Sequence, residues 1–125
     1  MPLEFATRAW GVDGQGRVVA VQGPADLYTA AELRETLCAE AELGRGRLIV
    51  DATDVTILDS SGLSALLAAH RRAARFGSEL ILVHDDPQIG RTLAVTGLET
   101  IFVIAATLDE AIARLRDAST RSPRP

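Results

Sequence analysis

The feature that most constrains the fold of this chain is the alternation of short apolar runs with amphipathic segments. Three apolar runs, at residues 48–50, 80–83 and 101–104, are too short for helices and are typical of strands buried on both faces. Amphipathic segments with helical spacing separate and follow these runs. The alternation predicts an α/β domain with a partly parallel sheet.

The N-terminal part of the chain predicts a β-hairpin. Residues 3–10 and 17–22 are typical of strands, and the turn-rich residues 13–16 separate them. The expected architecture is an N-terminal hairpin plus a mixed, partly parallel sheet of about five strands, packed with about four helices. We expect one domain over residues 1–117 and a disordered polar tail over residues 118–125.

Local signals predict where the helices begin and end. Two capping boxes of the S/T-x-x-E type predict helix starts at Thr29 and Thr107. Asp86 and Pro87 predict another start, as an N-cap followed by a first-turn proline. A further helix is expected over residues 61–76. Glycines that predict helix ends are Gly44, Gly77 and Gly97.

The composition argues against several classes of function. A net charge of −4 predicts neither a nucleic-acid-binding protein nor a polybasic membrane patch. The chain contains no lysine, which excludes the P-loop and disfavours a receiver domain phosphorylated at Asp51. The sequence predicts no signal peptide and no apolar stretch of the roughly 18–20 residues that span a bilayer. With Cys38 as the single cysteine, we expect a cytoplasmic protein.

Patterns of catalytic and metal-binding residues are missing from the sequence. There is no G-x-S-x-G motif, and neither His70 nor His84 has a metal-ligand neighbour at a suitable spacing. His70 is expected on the surface, and Cys38 in the core or on a helix face. Asp85 and Asp86 could form an acidic pair, but Asp86 is better explained as a helix start. We therefore expect no catalytic residue, metal or cofactor, and a protein that is not an enzyme.

The segment Asp59-Ser60-Ser61-Gly62-Leu63 joins an apolar run to a predicted helix. It places a carboxylate and two hydroxyls beside backbone N–H groups that lack intrahelical partners. One interpretation is a simple helix cap, in which Asp59 or Ser60 accepts hydrogen bonds from the first turn. The other is a functional site, because a helix start favours negative charge. The local sequence alone is compatible with both.

Three motifs, taken in order, give the sequence a resemblance to a known family. They are residues 51–63 with the Asp-Ser-Ser-Gly-Leu segment, residues 97–102 before the last strand, and the turn at residues 23–26. Over residues 18–115 the chain resembles the STAS domain family, specifically the bacterial anti-sigma factor antagonists. In the turn, which resembles the family's G-x-x-D pattern, Pro24 and Ala25 replace the commoner acidic and aliphatic pair.

The resemblance implies a phosphorylation switch in a protein that is not itself a catalyst. The family's phosphate acceptor corresponds to Ser61, and Asp59 is expected to help present it. The unmodified antagonist binds an anti-sigma factor serine kinase and frees a sigma factor, and a serine phosphatase resets the switch. The partner-binding residues that the resemblance implies are Asp26, Asp59, Ser60, Ser61, Gly62 and Leu63. We expect a monomer or weak dimer.

An alternative within the same family is a structural subunit that carries no phosphate. Such a STAS module would serve as a scaffold in a stress-sensing or lipid-transport complex. A shared fold does not decide between these functions.

Overall fold

A mixed sheet with helices on both faces forms the centre of the fold. The computed structural model describes residues 3–10 and 16–120, with side chains up to residue 115. In chain order the elements are β1 (Glu4–Trp10), β2 (Gly16–Ala25), α1 (Ala30–Leu43), β3 (Leu48–Leu58), α2 (Ser60–Ala74), β4 (Leu80–Val83), α3 (Pro87–Thr96), a 3₁₀ turn (Leu98–Thr100), β5 (Val103–Ala105) and α4 (Leu108–Thr120).

The strands lie in the sheet in the same order as in the sequence. β1 is antiparallel to β2, while β2, β3, β4 and β5 are parallel to one another. The predicted hairpin, the partly parallel sheet of five strands and the four helices are therefore confirmed. Of the turn predicted at residues 13–16, residues 13–15 lie outside the described residues, as do residues 11 and 12.

The central strands are buried on both faces, as their apolar runs predicted. In β3, Leu48 and Val50 face a core formed with α1, α2 and α3, while Ile49 faces a second core formed with α4. Leu80 and Ile81 divide between the two cores in the same way. This two-sided burial fixes which strand ends and helix starts meet at each edge of the sheet.

β3 is longer than the strand that the apolar run at residues 48–50 predicts. It continues through polar residues to Leu58, because this part of the strand still pairs with β2. Two register shifts in that pairing, after Ala20 and after Gly23, accommodate the irregular stretch. As a result Leu58, the last residue of β3, lies opposite Ala25, the last residue of β2.

Most of the predicted helix ends are confirmed. Gly44 and Gly97 follow α1 and α3, and Gly97 has the left-handed φ of 78° that favours glycine. Asp86 caps α3 by accepting a hydrogen bond from the Gln88 N–H at 2.8 Å. At the start of α4, Thr107 Oγ1 accepts from the Glu110 N–H at 3.1 Å.

Three boundaries differ from the predictions. The last strand begins at Val103 instead of residue 101, because the 3₁₀ turn after Gly97 occupies the chain first. α2 covers Ser60–Ala74, one residue earlier at its start and two at its end than expected. The last helix continues to Thr120, inside the segment predicted as a tail, and residues 121–125 lie outside the described residues.

Candidate functional site

The Asp59–Leu63 segment lies where β3 passes directly into α2. Only Asp59 separates Leu58 of the strand from Ser60 of the helix. Its backbone is extended, with φ −103° and ψ −173°, and its Oδ1 accepts from the N–H groups of Ser61 at 2.9 Å and Gly62 at 3.1 Å. The interpretation of Asp59 as an N-cap is therefore confirmed.

The two serines of the segment are both accessible at the first turn of α2. Ser60 is exposed and Ser61 is half-buried, whereas Gly62 and Leu63 face the protein interior. Ser60 and, in part, Ser61 are therefore open to solvent at the start of α2. The two serines lie on the solvent side of the segment, and Gly62 and Leu63 pack the start of the helix against the interior.

Gly62 is required by a close approach of α2 to the end of β2. A Cβ at this position would lie 2.4 Å from the carbonyl oxygen of Ala25 and 2.9 Å from Cδ1 of Leu58. The same Ala25 carbonyl accepts the Asp59 N–H at 3.2 Å. Gly62 therefore lets the start of α2 pack directly on the last residue of β2.

Asp26 follows Ala25, the last residue of β2, and closes the turn before α1. Its Oδ1 accepts from the N–H groups of Tyr28 at 2.9 Å and Thr29 at 3.2 Å. The Thr29 hydroxyl donates to the Pro24 carbonyl at 2.7 Å and accepts from the Asp26 N–H at 2.9 Å. The loop is thus tied together by its own polar groups, and it lies beside the start of α2.

The capping box predicted at Thr29 is wrong, although α1 does begin with the next residue. Thr29 occupies the N-cap position, but its side chain accepts no hydrogen bond from the first turn of α1. The hydroxyl instead bonds back to Pro24 and Asp26. Contacts within the Asp26 turn therefore take precedence over the local helix signal.

Three large apolar side chains at this edge of the sheet were not among the site residues predicted from the sequence. Leu27 and Tyr28 of the Asp26 loop are 70% and 92% exposed, and Ile57 near the end of β3 is 57% exposed. Ile57 pairs with Pro24, so these residues belong to neighbouring strand ends. Their signal in the sequence was available: Leu27 and Tyr28 are apolar, yet they fall in a turn, outside the helical period of α1.

Charge is distributed along α2 in the direction that stabilises a helix. The Asp59 carboxylate lies at its start, and Arg71 and Arg72 lie in its last turn. Arg72 forms an ion pair with Glu42 of α1. These arginines are about ten residues, or roughly 15 Å, from Ser61 along the helix. The positive charges therefore lie at the far end of α2, and the charge at its start comes from the Asp59 carboxylate.

The remaining sequence candidates lie away from this edge or have structural roles. Cys38 is a buried free thiol in the core, as expected. The prediction that His70 lies on the surface is wrong, because the residue is half-buried. Its ring packs edge-to-face on Phe102 with a centroid distance of 5.8 Å. Among the residues whose side chains the structure describes, 3–10 and 16–115, no group of three His, Cys, Asp or Glu could hold a metal ion. Within the same residues, no helix is long and apolar enough to span a membrane.

The cap contributed by Asp59 gives a first prediction. We expect Asp59→Ala to lower the free energy of unfolding by about 1 kcal/mol, because the Ser61 and Gly62 N–H groups lose their acceptor. Asp59→Asn keeps a side-chain oxygen and should lose only a few tenths. Urea unfolding followed by circular dichroism measures both. Equal stability of the alanine variant and the wild type would contradict the cap as drawn from the geometry.

Comparison with known proteins identifies a family and relatives that are similar in sequence. The model of the STAS domain family matches residues 9–111. The anti-sigma-B factor antagonist of Staphylococcus aureus is 30% identical over 83 residues, which cover 66% of this chain and 77% of that protein. A STAS-domain containing protein of Pseudomonas aeruginosa is 30% identical over 93 residues, 74% of this chain and 91% of its own length.

A solved structure extends the likeness to nearly the whole chain. The crystal structure of an anti-sigma factor antagonist from Mycobacterium paratuberculosis superposes with a TM-score of 0.77 at 29% identity. The match covers 91% of this chain and 96% of that one. The elements that build the candidate site lie within the matched family region.

Proposed function

Because the chain belongs to the STAS domain family, we propose that it is an anti-sigma factor antagonist controlled by phosphorylation of Ser61. In its unmodified form it binds an anti-sigma factor serine kinase and thereby releases a sigma factor. Phosphorylation of Ser61 abolishes this binding, and a serine phosphatase restores it. The chain is a substrate and a ligand of these partners and performs no catalysis itself.

One observation carries the proposal: the Asp59-capped start of α2 presents Ser60 and Ser61 beside the Asp26 loop. Asp59 is bonded to the N–H groups of Ser61 and Gly62, so the serine backbone is held in place before any partner arrives. Relatives named as anti-sigma factor antagonists support the same function. The partner-binding surface we assign consists of Asp26, Asp59, Ser60, Ser61, Gly62 and Leu63.

The exposed apolar residues at this edge extend the proposed surface. Tyr28 at 92% and Leu27 at 70% exposure stand out from a loop that is fixed by the Asp26 and Thr29 hydrogen bonds. Aromatic and apolar side chains held on a rigid support are typical of the central part of protein interfaces. We assign to them most of the apolar contact with the kinase, and to Ser61 the control of that contact.

The geometry also suggests why a phosphate would act so strongly. A phosphoserine adds about −1.5 to −2 charges at neutral pH. At a free helix start, unpaired N–H groups would offset part of this charge. Here the Ser61 and Gly62 N–H groups already donate to Asp59. The phosphate therefore adds to an existing carboxylate, and less of its charge is offset by hydrogen bonds from the helix start.

The proposal is tested by mapping phosphate on the protein purified from its own cells, grown with and without stress. We expect phosphate on Ser61 at a level that changes with the growth condition, read from fragment ions that separate Ser60 from Ser61. A Ser61→Ala chain expressed in the same cells is the control and should carry no phosphate in that peptide. A chain without phosphate in every condition, or with phosphate only on another residue, would contradict the switch.

A further inference from the structure

β1 is a long strand at one edge of the sheet. Among the described residues, 3–10 and 16–120, it pairs with β2 on one side only. All seven of its residues pair with β2 in one continuous register, without a bulge and without proline. The opposite edge, β5, is only three residues long. Of the devices by which proteins block edge pairing, β1 lacks shortness, bulges and prolines, and its only charged residues are Glu4 and Arg8.

The side chains of β1 also leave both of its faces accessible. Five of the seven residues, Glu4 and Ala6 through Ala9, are exposed, and only Trp10 is buried. Glu4, Ala6 and Arg8 alternate along the strand and therefore lie on one face of the sheet. The strand thus offers unpaired backbone groups flanked by two charges of opposite sign.

The spacing of these charges is self-complementary. In an antiparallel pair of identical strands related by a twofold axis at Ala6, Glu4 lies opposite Arg8 of the second copy, and Arg8 lies opposite its Glu4. Opposite charges in directly facing positions stabilise strand pairing, and like charges there destabilise it. We propose that two copies of this chain associate through β1, antiparallel and centred on Ala6, to form one continuous sheet.

This dimer leaves the proposed phosphorylation site free. Ser61 lies at the sheet edge where β2 and β3 end, and the twofold axis turns the corresponding edge of the second copy in the opposite direction. Association through β1 therefore extends the sheet sideways without covering either serine. The contact is one strand wide, so the association is weak and reversible. It does not depend on the identity of any kinase.

Sedimentation equilibrium of the full chain at low ionic strength tests the association. We expect a reversible monomer–dimer equilibrium that Arg8→Glu weakens by about tenfold, because Glu4 then faces a glutamate in both halves of the pair. The exchanged double variant Glu4→Arg with Arg8→Glu restores the complementarity and should return the wild-type dimer. Circular dichroism confirms that these exposed changes leave the fold intact.

Cross-linking through introduced thiols tests the register. With a short thiol cross-linker, Ala6→Cys should give a covalent dimer, since the two residues at position 6 face each other. Ala9→Cys is the matched control, because the two residues at position 9 lie about 20 Å apart in this register. A wild-type chain that stays monomeric at high concentration overturns the proposal. Equal cross-linking at positions 6 and 9 would also overturn it. So would a dimer whose affinity is the same in the wild type and in Arg8→Glu.

Discussion

Replacing Ser61 with aspartate is expected to weaken binding to the anti-sigma factor kinase by roughly tenfold to a hundredfold while the domain stays folded. Ser61 is half-buried at the first turn of α2. Its backbone N–H already donates a hydrogen bond to the Asp59 carboxylate. The carboxylate of Ser61→Asp would be a second negative charge at this position. It would be buried in the interface without an oppositely charged group to pair with. The helix itself tolerates the change, because an acidic residue in the first turn interacts favourably with the helix dipole.

Two control variants separate charge from shape and position. Ser61→Asn has nearly the size of the aspartate without its charge, so we expect it to lose less affinity than Ser61→Asp. Ser64→Asp places the same charge on an exposed residue one turn further along α2, and it should bind almost as the wild type does. Calorimetric titration against the kinase that co-purifies with Ser61→Ala gives the affinities. An unfolded Ser61→Asp protein, or one that binds normally, would refute the electrostatic mechanism.

The parts of the fold that depend on local pattern were predictable from the sequence. The apolar runs identified the buried strands, and Asp86 with Pro87 identified the start of α3, because each signal involves neighbouring residues only. Asp59 belongs to the same group. Its carboxylate reaches N–H groups two and three residues further along the chain, so the cap could be derived without knowledge of the tertiary structure.

What could not be predicted depends on how turns close and on contacts between distant segments. Thr29 fits a capping box, yet its hydroxyl bonds to Pro24, because the turn that follows β2 brings that carbonyl within reach. The polar residues inside β3 hide its true length, since only the pairing with β2 keeps them in the strand. Leu27 falls outside the helical period of α1, but its 70% exposure depends on how the Asp26 turn closes. Register and loop closure are set by the whole sheet, and a local pattern does not contain them.

The packing of Gly62 on β2 is such a long-range contact, and it leads to a large expected effect on stability. We expect Gly62→Ala to lower the free energy of unfolding by about 2 kcal/mol. The new methyl group would lie 2.4 Å from the Ala25 carbonyl oxygen, so either the start of α2 or the end of β2 has to move. That movement would also disturb the Asp59 N–H hydrogen bond to the same carbonyl. Urea unfolding measures the loss.

Gly90→Ala is the matched control, since it makes the same chemical change in the interior of another helix. A Cβ at Gly90 would meet only Cε1 of His84, at an ordinary 3.6 Å. Alanine is the better helix former, so this variant should be stabilised by about 0.5–1 kcal/mol. The opposite signs of the two changes would show that a contact with β2, and not helix propensity, demands glycine at position 62. If Gly62→Ala were as stable as Gly90→Ala, the start of α2 would have room to shift, and the rigid presentation of Ser61 that we assign to it would be wrong.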